Sequence, residues 1–252
     1  MSNNAVQTFA ENSENYRRFR PNYPTALIDW VVSLCDKRET VWDCGTGNGQ
    51  AACALAPHFK TVFATDVSQE QLAHATQMGN VSYSIAPAEV SGLKSASVDL
   101  ITVATALHWF NFSRFWPEVR RVGRRGAMFV AWGYGASAYP AEIERTVMEP
   151  LAPLLVPYWS RGNKIVEDGY RDADILFPFQ AIATPAFAVE VDWPINQILG
   201  FVKTWSAYKI AARDPAVLAL LVDREVQARK RFMDTDTFAI KFPLVMKAAR
   251  LS

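Results

Sequence analysis

The stretch Val41-Trp42-Asp43-Cys44-Gly45-Thr46-Gly47-Asn48-Gly49-Gln50 decides the fold. Thr40–Cys44 reads as a short strand, and Gln50–Leu55 opens a helix. The glycines at 45, 47 and 49 allow tight dihedrals and let a ligand approach the backbone closely. A glycine string alone is weak evidence, but the strand before it and the helix after it make it a ligand loop. A purely structural turn is the alternative.

Working outward, strands and helices alternate. Residues 61–65 predict a second strand, 68–78 a helix, Val81–Ile85 a third strand and 97–104 a fourth. Residues 110–122 predict another helix and 127–132 a fifth strand. This rhythm implies an α/β fold, Rossmann-like, with a mostly parallel sheet, helices on both faces and right-handed crossovers. Before it, residues 24–35 carry apolar side chains at helical spacing, and residues 1–24 run from polar to aromatic and basic. So ring-rich an arm packs back onto the body or closes over a pocket. After Gly135 the rhythm breaks. Residues 136–185 are too long and too apolar for a simple loop and predict a partly helical cap, with a helix over 141–151. A strand at 187–191, helices at 195–210 and 216–232, and a closing strand at 238–245 complete one domain. That last strand is expected at an edge of the same sheet.

The loop's spacing departs from the dinucleotide pattern, because the third glycine falls at 49 and Gln50 follows it. Asp43 would repel a pyrophosphate but attract an ammonium. That points to S-adenosyl-L-methionine, whose methionine end carries an ammonium and whose centre is a sulfonium. Asp66 ends the second strand, at about the distance of 20 residues that suits an acid binding a ribose diol. Capping the helix that follows is its alternative role. Val67 offers an apolar edge to an adenine. Ala86-Pro87-Ala88-Glu89 follows the third strand onto the same crevice, either to meet the adenine rim or as an ordinary capped turn.

These segments, together with residues 16–24, 97–109 and 120–133 and the later pieces Asp192-Trp193 and 204–208, resemble class I S-adenosylmethionine-dependent methyltransferases. More narrowly, they resemble the small-molecule branch that includes trans-aconitate methyltransferase-like proteins. The resemblance implies a seven-stranded sheet with its last strand antiparallel. It places Gly45, Thr46, Gly47 and Gly49, with Asp43, around the methionine part and Asp66 on the ribose. It places the backbone around Ala88 and Glu89 by the base, and the residues Ala104 to His108 beneath the methionine and near the methyl. Cys44 and Ala86 depart from the family's usual choices, and Ala86 removes a polar side chain from the adenine side.

Acceptor candidates gather at the carboxyl end of the sheet, where open α/β folds bind ligands. His108 suits a general base or an orienting group, with a structural hydrogen-bonding role as the alternative, and Trp109 suits an aromatic wall, with core packing as the alternative. Tyr16, Arg20 and Tyr23 lie in the segment that folds over the cofactor in similar proteins, and Arg20 can neutralise a carboxylate. Trp132 and Tyr134 end the fifth strand and are expected to face the crevice. Methyl transfer is an in-line displacement, so alignment and desolvation matter most, and an acceptor that is already anionic needs no base.

Composition narrows the rest. Half of the 252 residues are hydrophobic and the formal net charge is +1, which gives no electrostatic footprint for nucleic acid. Arg120–Arg125 reads as a solvated helix end. Three cysteines, Cys35, Cys44 and Cys53, fit buried thiols in a reducing compartment, with no metal site expected. No secretory signal and no membrane span is seen, so the cytoplasm is expected; the oligomeric state stays open. The expected activity is methyl transfer from S-adenosyl-L-methionine to a small-molecule carboxylate or hydroxyl. The alternatives are an RNA or protein methyltransferase, a non-catalytic cofactor-binding protein of the same fold, and a nicotinamide oxidoreductase.

Overall fold

The computed structural model describes residues 19–233 and 235–252. Tyr16 therefore lies outside the described residues. The elements begin with α1 (Thr25–Ser33), β1 (Thr40–Cys44), α2 (Gln50–Leu55), β2 (Thr61–Asp66), α3 (Gln69–Ala73) and β3 (Val81–Ile85). They continue with β4 (Val98–Ala104), α4 (Phe112–Val122) and β5 (Gly123–Tyr134). Next come α5 (Ala141–Ile143) and α6 (Glu149–Leu155), joined by a π turn over Glu144–Met148. Pro150 and Pro153 lack the N–H groups that a regular ladder needs there. The remaining elements are α7 (Arg161–Glu167), α8 (Asp172–Ile175), β6 (Phe187–Pro194), α9 (Ile195–Lys203), α10 (Ser206–Ala211), α11 (Pro215–Arg231) and β7 (Thr237–Arg250).

The sheet has seven strands in the order β3-β2-β1-β4-β5-β7-β6. β1 to β5 pair in parallel, and β7 runs antiparallel to both β5 and β6. β4 reads Val-Asp-Leu-Ile-Thr-Val-Ala and is buried along nearly its whole length, as a central parallel strand covered on both faces must be. One core lies on the face of Leu27, Val31, Leu55, Ile198 and Phe242. The other, with Trp42, Phe115, Trp116 and Phe129, fills the opposite face.

Three expectations need correction. The closing strand is not an edge: β7 is inserted between β5 and β6, with Met128 opposite Arg250 and Val189 opposite Phe242. Phe242, Ala248 and Ala249 are buried by that insertion, while Lys241 reaches out to Glu190 at 2.8 Å. The helix expected over 195–210 divides into α9 and α10, where the Thr204 hydroxyl donates to the Phe201 carbonyl at 2.6 Å. The helix after β2 stops at Ala73, and the Tyr83 hydroxyl donates to the Thr76 carbonyl at 2.8 Å as the chain turns away. Among the described residues no helix is long and apolar enough to cross a membrane.

Candidate functional site

The strand order reverses between β1 and β4, and a cleft opens there at the carboxyl ends of the strands, where such sheets bind ligands. The cleft encloses about 630 Å³ counted out to its open mouth. One wall is the glycine loop: Gly45, Thr46, Gly47, Asn48, Gln50 and Ala51. Asp66, Val67 and Gln71 form the second wall. Ala104, Thr105, Ala106 and Trp109 form the floor and far side, and Tyr23 closes the last side.

The loop takes its shape from three left-handed glycines, at φ 68° (Gly45), 57° (Gly47) and 86° (Gly49). A Cβ on Gly45 would come within 2.7 Å of the Ala106 Cβ, so Ala106 can approach only because glycine is there. Gly49 serves packing outside the cleft, since a Cβ there would overlap the Tyr83 hydroxyl. Bonds to the end of β2 hold the loop: the N–H groups of Gly45 and Thr46 donate to the Thr65 carbonyl at 2.8 and 3.0 Å.

Two carboxylates frame the loop and differ in role. Asp43 is fully buried and does not line the cleft. It accepts from the hydroxyls of Thr46 at 2.5 Å and Thr102 at 2.8 Å. Burial pushes its pKa from 3.8 up to about 6, against the bonds from Thr46, Thr102 and the Ala52 N–H, which hold it down. Its visible work is to tie the loop to β4 and to the start of α2. Asp66 does line the cleft. One of its oxygens accepts from the Gly47 N–H and the other from the Ser68 N–H, both at 2.8 Å. Burial raises its pKa too. The helix cap considered as its alternative belongs instead to Ser68, whose hydroxyl accepts from the Gln71 N–H at 3.2 Å. Each Asp66 oxygen keeps a further lone pair, which suits a vicinal diol.

The other expected residues separate in the same way. Glu89 accepts the Asn111 N–H at 2.8 Å ahead of α4, and Ala88 is buried in the core on that face; neither lines the cleft. His108 stands behind Trp109, their ring centroids 4.8 Å apart. Its Nδ1 lies 3.2 Å from the Tyr170 hydroxyl, and it is not among the cleft's lining residues. Burial, reinforced by the charge of Arg20, pushes its pKa from 6.5 down to about 3, so the imidazole is neutral at pH 7.

Trp132 does not reach the crevice: it is fully buried beneath Tyr23, edge-to-face at 5.4 Å. Tyr134 stacks on Tyr23 at 6.2 Å, donates to the Pro21 carbonyl at 3.1 Å and also stays out of the lining. The Arg20 Nε donates to the Thr204 hydroxyl at 3.0 Å, and its guanidinium lies 5.0 Å from the Phe201 ring and 5.5 Å from that of Tyr134. Residues 20–23 are thus fastened to the end of β5 and to α9. Gln71 and Ala51 were missed from sequence, although Gln71 sits one helical turn beyond Ser68 on the side facing the loop; Asn48 and Gln50 were read only as part of the glycine loop, and Thr105 and Ala106 only as part of the segment 104–108.

Residues 42–131 match the family described as a methyltransferase domain. A Dictyostelium discoideum protein assigned as a methyltransferase is 33% identical over 245 residues, spanning 94% of this chain and 92% of its own. The chain belongs to the class I S-adenosylmethionine-dependent methyltransferases. A Saccharomyces cerevisiae protein assigned as an S-adenosylmethionine-dependent methyltransferase is 27% identical to this methyltransferase, covering 80% of it and 81% of the relative. The solved structure of a protein assigned as a type II methyltransferase from Anaeromyxobacter dehalogenans superposes with a TM-score of 0.80 at 36% identity. It covers 92% of the methyltransferase and 98% of that chain.

Proposed function

We propose that this methyltransferase moves the methyl group of S-adenosyl-L-methionine to a small-molecule acceptor, and that the cleft between β1 and β4 holds the cofactor. The observation that carries the reading is Asp66, with spare lone pairs on both oxygens, lining the same cleft as Gly45 and Gly47 and held there by the Gly47 N–H. When bound, the cofactor supplies an electrophilic methyl on a sulfonium. Gly45, Thr46 and Gly47 pass along its methionine part, with Ala104 beneath. Asp66 accepts from the ribose hydroxyls, and Val67 packs on the base. Asp43 acts on the cofactor through Thr46 and the loop it fixes, and Gly49 through the shape it allows.

Tyr23 and Trp109 form the aromatic wall where the cofactor cleft meets the acceptor side. Trp132 and Tyr134 support Tyr23 from behind, and Arg20 sets a positive charge near that end. His108 orients its neighbours as a neutral group, since a base with a pKa of about 3 takes a proton poorly at pH 7. A base that weak favours an acceptor that arrives ionised, a carboxylate before a hydroxyl. A net charge of +1 supports a small molecule over RNA. The sparse cysteines fit a cytoplasmic location. The test is to incubate the protein with methyl-labelled cofactor and, in separate arms, small carboxylic acids, phenols, total tRNA and a protein mixture. Label in the carboxylic acids is expected. Label confined to tRNA or protein would overturn the reading.

A further inference from the structure

Four residues other than glycine adopt a left-handed backbone among the described residues: Ala96, Thr105, Tyr170 and Leu176. Only Thr105 of these is β-branched, and only Thr105 lines the cleft. A β-branched residue at φ 56° crowds its own side chain against the backbone, and such positions persist where the surrounding structure enforces them. The enforcement is visible here. The Thr105 N–H donates to the Trp132 carbonyl at 2.7 Å, which continues the β4–β5 pairing one residue beyond Ala104.

The consequence lies at the side chain. The Thr105 hydroxyl lies 3.1 Å from the Tyr23 hydroxyl, across 82 residues of sequence. The Tyr23 ring is held edge-on by Trp132 and stacked by Tyr134, and the hydroxyl pair holds its polar end. Both residues line the cleft.

We propose that Thr105 is a positioning residue: its left-handed backbone carries its hydroxyl to that of Tyr23 and so fixes the Tyr23 ring as a wall of the cofactor cleft. The proposal rests on the cofactor reading above. The cost of the strained backbone is retained because it places this one hydroxyl.

The test uses the full chain, S-adenosylhomocysteine as the probe, calorimetry for affinity and thermal melting for stability. Thr105→Val keeps the branching and removes only the hydroxyl; Tyr23→Phe removes its partner. Each should weaken probe binding by about two- to twelvefold, the range for one net hydrogen bond. The double variant should be no weaker than either single one, because both remove the same bond. Thr105→Ser keeps the hydroxyl and relieves the branching, so it should bind like the wild type and melt no lower. Wild-type affinity in both Thr105→Val and Tyr23→Phe would overturn the proposal and leave the cofactor reading standing. Fully additive losses in the double variant would overturn it as well. A folded wild type that binds no probe would overturn both. If Thr105→Val does not fold, Tyr23→Phe and Thr105→Ser still decide: Tyr23→Phe at wild-type affinity, or Thr105→Ser weakened like Tyr23→Phe, overturns the proposal.

Discussion

Asp43→Asn should flatten part of the protein's pH dependence of stability. The buried Asp43 carboxyl holds its proton up to about pH 6, against 3.8 for an ordinary aspartate. The folded state therefore binds this proton more tightly than the unfolded chain does. The stabilisation is complete below the ordinary value, and it is lost as pH rises through the folded one. A difference of about two pH units corresponds to about 3 kcal/mol, with a steepest slope of about 1.4 kcal/mol per pH unit. Asparagine has nearly the same shape and no titration. Urea unfolding of wild type and Asp43→Asn at steps from about pH 4 to about pH 7 supplies the comparison. Asp66 shifts in the same direction and Glu118, paired with Arg121, in the opposite one, so the difference between the two proteins isolates Asp43. The wild type should lose up to about 3 kcal/mol relative to the variant across that range. A stability difference that does not vary with pH would refute the argument, because it would mean that Asp43 ionises as it does in the unfolded chain.

Gly49→Ala should cost about 2 kcal/mol or more in chemical denaturation, because the new Cβ overlaps the Tyr83 hydroxyl at a left-handed position; Tyr83→Phe in the same chain should recover part of it. Glu89→Ala should cost about 1 kcal/mol through the lost bond to the Asn111 N–H and leave S-adenosylhomocysteine affinity unchanged in calorimetry; a large affinity loss would return Glu89 to the adenine site. The imidazole of His108, assigned by comparison with His108→Gln, should show no NMR titration near its ordinary pKa of 6.5 and should remain neutral down to about pH 3.

Much of the fold could be read because its signals are local. The strand–turn–helix at 40–55 follows from glycines that alone tolerate the left-handed positions at 45, 47 and 49. The continuous apolar run of β4 marks a central strand without any knowledge of its partners. The place of β7 was not legible, because which strands it joins depends on pairing between residues far apart along the chain, as with Met128 and Arg250 on one side and Phe187 and Leu244 on the other. Its alternation looks the same at an edge or inside. The site divided along the same line. Asp66 and the glycines were found because a motif carries them. Gln71 was not, and Asn48 and Thr105 were carried only as members of their segments, since an amide or a hydroxyl in a helix or turn has no signature until the fold turns it toward a cleft. Asp43 showed the limit of motif reading: its charge was legible, but the threonines that bury and occupy it come from the loop and from β4.

If the cleft lined by the glycine loop and Asp66 holds S-adenosylmethionine, the product of methyl transfer must bind there too. The decisive measurement is calorimetric titration of S-adenosylhomocysteine into the wild-type protein and Asp66→Ala. Saturable one-to-one binding to the wild type is expected, weakened about a hundredfold or more in the variant through two lost charge-assisted bonds. A folded wild type with no binding heat, or an Asp66→Ala protein that binds as tightly as the wild type, would contradict binding in that cleft.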